Sequence, residues 1–114
     1  MNINPLVLTL DFGTQSVRAS LIDKSGSIVA LVKRKYDPVY NSPKNGYIEQ
    51  DADFYWENAK ECLKELTRNN QNKLDYIIGA TLTSFRDTSV QLDENNKPVR
   101  DCILWLDQRM AKGK

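Results

Sequence analysis

The residues best suited to chemistry lie near the amino terminus, in segment 11–18, which reads Asp-Phe-Gly-Thr-Gln-Ser-Val-Arg. A phosphate group is bound by backbone N–H groups that point inward, and a Gly-Thr turn between two strands provides them without a bulky side chain that would block close approach. Gly13 and Thr14 fit that role. The hydroxyls of Thr14 and Ser16 can add hydrogen bonds, and Arg18 can stabilise the charge of a transferring phosphoryl group.

Asp11 stands at the end of the apolar run 6–10. Mg²⁺ prefers one or two carboxylates together with waters and phosphate oxygens, so a single aspartate at a strand end suits it. Asp, Gly, Thr and Ser are also the common residues of hairpin turns. Spacing alone therefore leaves a phosphate site and an ordinary turn both open.

Three predicted strands hold this segment in place. Residues 6–10 are apolar or β-branched and predict a buried central strand, residues 16–23 alternate between apolar and polar, and residues 28–35 form a third strand. Their connections are short and contain glycine. This predicts an antiparallel meander, because parallel strands need longer crossovers.

A helix is predicted to follow the proline- and asparagine-containing loop 37–50. Asp51 or Asp53 caps it, and it runs to about Arg68. Its apolar face, at helical spacing, consists of Tyr55, Ala59, Cys62, Leu63 and Leu66.

The carboxyl-terminal part is predicted to be strand-rich. Residues 74–82 follow an asparagine-rich turn and predict another buried strand. Residues 88–92 and 99–105 predict two strands about a turn at 93–98. The order is thus β-β-β-α-β with further strand material, which indicates a mixed α/β fold.

Composition narrows the classes of function. The 114 residues suit one globular domain, with 40% hydrophobic and 27% charged residues. A net charge of +1 creates no broad field for nucleic acid or an anionic membrane, so neither is expected as a partner. The basic triplet 33–35 is interpreted as the solvated end of a strand. No apolar stretch approaches the roughly twenty residues that span a bilayer, and a cytoplasmic location is expected.

Cysteine and histidine usage adds two constraints. Cys62 and Cys102 are too far apart in sequence for a close-spaced zinc or redox pair, and both are predicted as buried thiols. The chain has no histidine, which excludes histidine triads and the commonest general base. Asp or Glu would therefore have to act as the general acid or base.

Segment 11–18 resembles the first phosphate motif of the FGGY carbohydrate kinases, which include glycerol, xylulose, ribulose and gluconate kinases. Three further segments resemble motifs of this family, in order and at suitable distances. They are 46–51 (Gly-Tyr-Ile-Glu-Gln-Asp), 84–88 (Ser-Phe-Arg-Asp-Thr) and 103–109 (Ile-Leu-Trp-Leu-Asp-Gln-Arg). The resemblance covers residues 6–109. It implies a ribonuclease-H-like, actin-like ATPase lobe, in agreement with the β-β-β-α-β order.

The resemblance also implies the reaction and part of its site. The reaction would transfer the γ-phosphoryl group of ATP to a hydroxyl of a sugar or polyol, with Mg²⁺ as the metal. Asp11 and Arg18 would be catalytic, and Asp11 would act on the metal through water. The phosphate-binding residues implied are Gly13, Thr14, Gln15 and Ser16.

The implied substrate residues are Arg86, Asp87 and Trp105. Paired charged groups suit polyols, because every hydroxyl both donates and accepts, and Trp105 would pack on the carbon chain. Two other interpretations stay open: Arg86 and Asp87 as a surface ion pair, and Trp105 as part of the core. Glycerol kinases have Glu at the position of Asp87, so the resemblance does not identify the substrate.

Length is the main departure from the family, whose members run several times longer. Residues 1–114 are therefore expected to be an incomplete first lobe. The catalytic base, the adenosine pocket and the second lobe would lie outside this chain, and the chain alone would have little or no turnover. Self-association is expected, because the surface for the second lobe would be exposed.

Two other functions compete with the kinase. A non-catalytic domain of the same superfamily would bind nucleotide or a protein partner. A ribonuclease-H-like nuclease would need several carboxylates around two metals and a basic face. The net charge of +1 and the segments around Arg86 and Trp105 argue against the nuclease.

Overall fold

Three consecutive strands form the predicted antiparallel meander. The structure, a computed structural model, describes residues 4–112, so residues 1–3 and 113–114 of the predicted domain lie outside the described part. The elements are β1 (Leu6–Phe12), β2 (Ser16–Asp23), β3 (Ile28–Lys35), β4 (Glu49–Gln50), α1 (Ala52–Asn69), a 3₁₀ helix (Gln71–Tyr76), β5 (Ile77–Thr83), β6 (Cys102–Ile103) and α2 (Arg109–Lys112). The bounds of β2 and β3 are the predicted ones. Strand β1 runs two residues further, because its last two residues still pair with β2.

Helix α1 covers one face of the meander. Asp51 is its cap, since the Asp51 carboxylate accepts a hydrogen bond from the Asp53 N–H at 3.0 Å. The predicted apolar face is confirmed except at Leu63, which is only partly buried. The buried side chains of β2 that it meets are Val17, Ala19 and Leu21. Full burial of a large apolar side chain stabilises a fold by roughly 1.5–3 kcal/mol, so this layer is the core.

Both cysteines are free and buried in the described part of the chain, as predicted. The Cys62 thiol donates to the carbonyl oxygen of Val32 at 3.2 Å, and burial raises its pKa. No helix among residues 4–112 is both long and apolar enough to cross a membrane.

Strand β5 completes a four-stranded sheet with the order β3-β2-β1-β5. It runs parallel to β1, and α1 is the crossover between β3 and β5. The predicted β-β-β-α-β order is therefore confirmed. The strand begins at Ile77 instead of residue 74, because the residues before it form the 3₁₀ helix.

The prediction that β5 is buried is wrong. Ile78 is 73% exposed and Leu82 is 62% exposed. Strand β5 has a strand neighbour on one side only within residues 4–112, and α1 packs on β2 and β3. An apolar run thus became an edge strand with an uncovered face.

The two strands predicted at 88–92 and 99–105 are not a hairpin of regular strands. Within this region only β6 is a strand, and it pairs with β4. The Asp93 carboxylate closes the predicted turn by accepting the N–H groups of Asn95 and Lys97. Pro98 has no N–H to donate to a ladder, and the pairing between 88–92 and the residues after this turn is limited to isolated bridges in the described part of the chain.

Candidate functional site

The turn between β1 and β2 is closed by its own backbone. The Gly13 N–H donates to the carbonyl oxygen of Ser16 at 2.8 Å, and a Cβ on residue 13 would lie 3.1 Å from that oxygen. The carbonyl oxygen of Gln15 accepts the Tyr36 N–H at 2.9 Å, which ties the turn to the end of β3. A side chain at this position would need the Ser16 carbonyl to shift by a few tenths of an ångström, so the close approach of backbone to backbone favours glycine.

The donors left open by this turn are those of its two middle residues. Within residues 4–112, neither the Thr14 N–H nor the Gln15 N–H has an acceptor in the protein. Gly13 therefore shapes the turn with its own N–H engaged, and the two following N–H groups are available to an anion. Successive free backbone N–H groups in a turn form a concave anion-binding surface.

Asp11 and Arg18 lie side by side at the end of the sheet. They are cross-strand partners, and the Arg18 Nη1 to Asp11 Oδ2 distance is 3.7 Å. The Thr83 hydroxyl at the end of β5 donates to the Asp11 Oδ1 at 2.7 Å. Both charged side chains are 49% exposed, and an exposed pair contributes little to stability. Both groups are therefore accessible to a ligand.

The surroundings of Asp11 fit a Mg²⁺ ion that is held mainly by water and phosphate oxygens. Residues 4–112 contain no group of three or more carboxylate, thiol or imidazole side chains placed to hold a metal. The carboxylate is half exposed, with Oδ1 hydrogen-bonded to Thr83 and Oδ2 3.7 Å from Arg18, so it keeps room for a water-mediated contact, which matches the ligand preference of Mg²⁺.

A cleft of about 760 Å³ opens beside the turn. It is lined by the turn, by the end of β3 and by the segment after β6, namely by Gly13, Thr14, Gln15, Ser16, Arg18, Lys33, Lys35, Tyr36, Val39, Trp105 and Leu106. We call it the cationic cleft, because its charged lining residues are one arginine and two lysines. All the sequence-predicted phosphate residues thus meet in one place.

Trp105 forms one wall of the cationic cleft and is 51% exposed, so the interpretation of Trp105 as core is wrong. Its Nε1–H donates to the Thr14 hydroxyl at 3.0 Å, and its backbone N–H donates to the Thr88 hydroxyl at 3.2 Å. Two hydrogen bonds therefore place this indole between the turn and the segment that follows β5.

Arg86 and Asp87 follow β5 at the same end of the sheet, but neither lines the cationic cleft. Both side chains are exposed, and no ion pair joins them in the described part of the chain, so the interpretation of Arg86 and Asp87 as a surface ion pair is wrong. Asp87 has a φ of 52°, a left-handed conformation that aspartate tolerates better than most residues. Phe85, whose ring centroid lies 6.2 Å from that of Phe12, anchors this segment to β1.

Sequence reasoning missed Lys33 and Lys35, which it assigned with Arg34 to a solvated strand end. The strand divides the triplet between two faces. Arg34 faces α1 and donates to the Asn58 side-chain oxygen at 2.9 Å, whereas the two lysines line the cationic cleft. The period of two along a strand was the signal that could have found them.

A partly buried ionic cluster holds the Trp105 wall in place. Arg109 lies 2.7 Å from the Asp107 carboxylate and 2.5 Å from the Glu49 carboxylate, and its guanidinium stacks on the Tyr47 ring at 3.8 Å. The Asp107 carboxylate also accepts the Ile48 N–H at 2.6 Å. These hydrogen bonds, chiefly that from Arg109, hold the pKa of Asp107 well below its usual range. The cluster joins segments 46–51 and 103–109.

Comparison with known proteins places this geometry in a known context. Residues 6–113 match the model of the N-terminal domain of the FGGY family of carbohydrate kinases. A glycerol kinase of Brevibacillus brevis is 38% identical over 103 residues, which are 90% of this chain and 20% of that protein. The crystal structure of a xylulose kinase from Rhodospirillum rubrum superposes with a TM-score of 0.83 at 30% identity, over 94% of this chain and 22% of that one.

The fold is the mixed α/β, ribonuclease-H-like arrangement of actin-like ATPases, as predicted. The chain spans about a fifth of the length of the curated relatives it matches.

Proposed function

We propose that this chain, which belongs to the FGGY family of carbohydrate kinases, provides the first phosphate motif and part of the acceptor site of an ATP-dependent sugar or polyol kinase. The observation that carries the proposal is the turn after β1. Its free N–H groups at Thr14 and Gln15 open onto the cationic cleft, and the Asp11 carboxylate stands beside it. Backbone donors, cations and one carboxylate are the groups that a nucleotide phosphate chain with its metal requires.

In the proposed reaction, an acceptor hydroxyl oxygen forms a bond to the γ-phosphorus of ATP, and the bond from that phosphorus to the β,γ-bridging oxygen breaks, releasing ADP. The Thr14 and Gln15 N–H groups and the Ser16 hydroxyl orient phosphate oxygens. The Arg18 guanidinium stabilises the negative charge on the equatorial oxygens, and this electrostatic positioning is the main source of catalysis in phosphoryl transfer.

Asp11 is proposed to hold water molecules of the metal shell through its exposed carboxylate. Mg²⁺, when bound, neutralises charge on the phosphates. The Thr83 hydroxyl keeps one carboxylate oxygen fixed by its hydrogen bond. No carboxylate is among the residues that line the cationic cleft. We propose that the base that takes the hydroxyl proton comes from outside residues 1–114, because the chain spans only about a fifth of the kinases that it resembles.

The acceptor is proposed to bind near Trp105, Arg86 and Asp87. The half-exposed Trp105 offers an apolar face, and Arg86 and Asp87 supply donors and an acceptor that no ion pair between them engages. A site built to satisfy hydroxyl groups rejects compounds that lack them, because its polar groups would stay unpaired. A sugar or polyol fits these demands.

We further propose that residues 1–114 form part of a first lobe and that a second lobe supplies the adenosine pocket. The short span relative to known kinases supports this division. The use of ATP and the two free, buried thiols fit a cytoplasmic protein.

The test of this function uses the polypeptide encoded by the complete reading frame, assayed for ADP release with a panel of sugars and polyols. At least one acceptor is expected to be phosphorylated. Arg86→Ala is expected to raise the KM of that acceptor about 10- to 100-fold, because one or two hydrogen bonds to a charged group are lost, while the KM of ATP stays within about twofold.

Arg68→Ala is the matched control, since Arg68 is an exposed residue of the last turn of α1, and it should leave both KM values unchanged. If no acceptor is phosphorylated, the result favours a non-catalytic binding domain. An unchanged acceptor KM in Arg86→Ala would remove Arg86 from the site.

Self-association of the 114-residue chain is the remaining proposal, and the uncovered face of β5 supports it. Ile78 and Leu82 expose apolar surface beside an open strand edge, which is a template for pairing with a second copy. Light scattering at high concentration should detect a dimer or larger species. Ile78→Lys should shift the profile toward monomer, and a wild-type chain that stays monomeric throughout would contradict the proposal.

A further inference from the structure

Lys33 and Lys35 stand on the same side of the sheet as the groups of the candidate site. Arg18 pairs with Lys33 and Ser16 pairs with Lys35 in the antiparallel register of β2 and β3. Directly opposite side chains share a face, and residues two apart on a strand share it as well. Asp11 is in turn opposite Arg18, so Asp11, Arg18 and Lys33 form a row across three strands.

The positive charges of Lys33 and Lys35 are only partly balanced, because Lys35 also borders a second cleft whose lining includes Asp37, Glu57 and Glu61. Arg18 has the Asp11 carboxylate as a partner at 3.7 Å. No carboxylate lies within 4.0 Å of the Lys33 or Lys35 ammonium among residues 4–112, and none lines the cationic cleft. Arg18 and Lys33 are like charges directly opposite each other on adjacent strands, which is destabilising, and an anion that bridges them relieves this repulsion.

The backbone positions that carry these cations form a grid wider than a single phosphate group. Positions two apart on a strand are separated by about 6.5–7 Å, and directly opposite positions by about 4.5–5.5 Å. Long lysine side chains above such a grid can reach a chain of two or three linked phosphates. The cleft, at about 760 Å³, has room for such a chain beside the turn.

We propose that Lys33 and Lys35 form an oligophosphate subsite that extends the phosphate turn along β3. The subsite binds the di- or triphosphate chain of the nucleotide, and in this respect it rests on the proposed kinase function. The turn, through the Thr14 and Gln15 N–H groups, holds one phosphate group, and the lysines hold the neighbouring groups as point charges.

The experiment measures binding of inorganic tripolyphosphate, pyrophosphate and orthophosphate to the protein by calorimetry, with Lys33→Gln, Lys35→Gln and the double variant. Each single variant is expected to weaken tripolyphosphate binding about fivefold and the double variant about 20-fold or more, because a charged hydrogen bond is lost at each site. Orthophosphate binding should change less than twofold. Lys24→Gln, an equal charge change in the turn at the opposite end of β2, should leave all three affinities unchanged.

The outcomes separate the subsite from the kinase function. Equal tripolyphosphate affinity in the wild type and the double variant overturns the subsite and leaves the kinase proposal intact. A second outcome is that the protein phosphorylates no acceptor while its lysine variants bind tripolyphosphate more weakly than the wild type does. That result supports the subsite and contradicts the kinase proposal. A loss confined to a sugar phosphate, with tripolyphosphate binding retained, also overturns the proposal, because the lysines would then serve the product.

Circular dichroism and thermal unfolding check that the variants fold. Lys33 and Lys35 are exposed, and neither makes a salt bridge within residues 4–112, so each substitution should change the free energy of unfolding by no more than about 0.5 kcal/mol.

Discussion

Asp11→Asn should lower the kcat of the complete kinase by about a thousandfold, the size of effect that follows loss of a preorganised electrostatic group at the reacting centre. Asparagine keeps the shape of the side chain and can still accept the hydrogen bond from Thr83. The variant therefore removes the negative charge while leaving the strand end in place. The measurement is steady-state kinetics at saturating ATP and acceptor.

A Mg²⁺ titration distinguishes a metal-directed role from a structural one. If Asp11 acts on the metal through water, the Mg²⁺ concentration at half-maximal rate should rise in Asp11→Asn, because a carboxylate favours the ion and an amide favours it less. Asp75→Asn makes the same change at an exposed residue of the 3₁₀ helix and should behave as the wild type. A near-normal kcat in Asp11→Asn would refute the assignment of this residue.

Asp107→Ala should destabilise the fold by about 3 kcal/mol, the range found when one partner of a buried ion pair is removed. The Asp107 side chain is 3% exposed and accepts hydrogen bonds from Ile48 and from the backbone and guanidinium of Arg109. Its removal leaves the Ile48 N–H without this acceptor and leaves Arg109 with Glu49. The measurement is denaturant unfolding at neutral pH.

Because segment 103–109 carries the Trp105 wall, the same variant should loosen the cationic cleft, which tryptophan fluorescence quenching would report as increased exposure. Asp101→Ala removes a carboxylate from an exposed neighbouring position and is the matched control. If Asp107→Ala and Asp101→Ala cost the same free energy of unfolding, the ionic cluster does not stabilise the fold.

The pH dependence of stability follows from the direction of the Asp107 pKa shift. Arg109 and the Ile48 N–H depress the pKa of this carboxyl in the folded state below its ordinary value of 3.8. Its contribution is therefore fully present above that ordinary value and is lost as the pH falls below it toward the folded-state pKa. As the pH falls below about 4, the free energy of unfolding should decrease less steeply in Asp107→Asn than in the wild type. Identical slopes would contradict the cluster's role.

Elements whose cause is local could be predicted from the amino-acid sequence alone. Alternating apolar residues and short glycine-containing turns set the bounds of β2 and β3, and an aspartate with helical apolar spacing set the start and the buried face of α1. The segment 11–18 was readable as a phosphate turn because its residue types, its place between two strands and its three companion segments agree. These signals lie within windows of a few residues and need no knowledge of distant partners.

The contacts between distant surfaces could not be predicted in this way. The burial of β5 depends on its neighbours in the sheet, and an apolar run looks the same in a central strand and in an edge strand. The partner of β6 is β4, about fifty residues away in sequence, so no local turn signal could reveal that pairing. Long-range pairing depends on the packing of the whole chain, so the residue types of any one segment do not reveal it.

In the candidate site, too, the sequence predicted the residue types and the structure showed how they are arranged. The residue types of Gly13, Thr14 and Arg18 pointed to phosphate chemistry, but the sequence could not tell that the Gly13 N–H closes the turn and leaves the next two free. It also could not place Trp105 against Thr14, or bring Lys33 and Lys35 to the same cleft. Local sequence specifies which groups a segment carries, and the register and packing of distant strands specify which of those groups face one another.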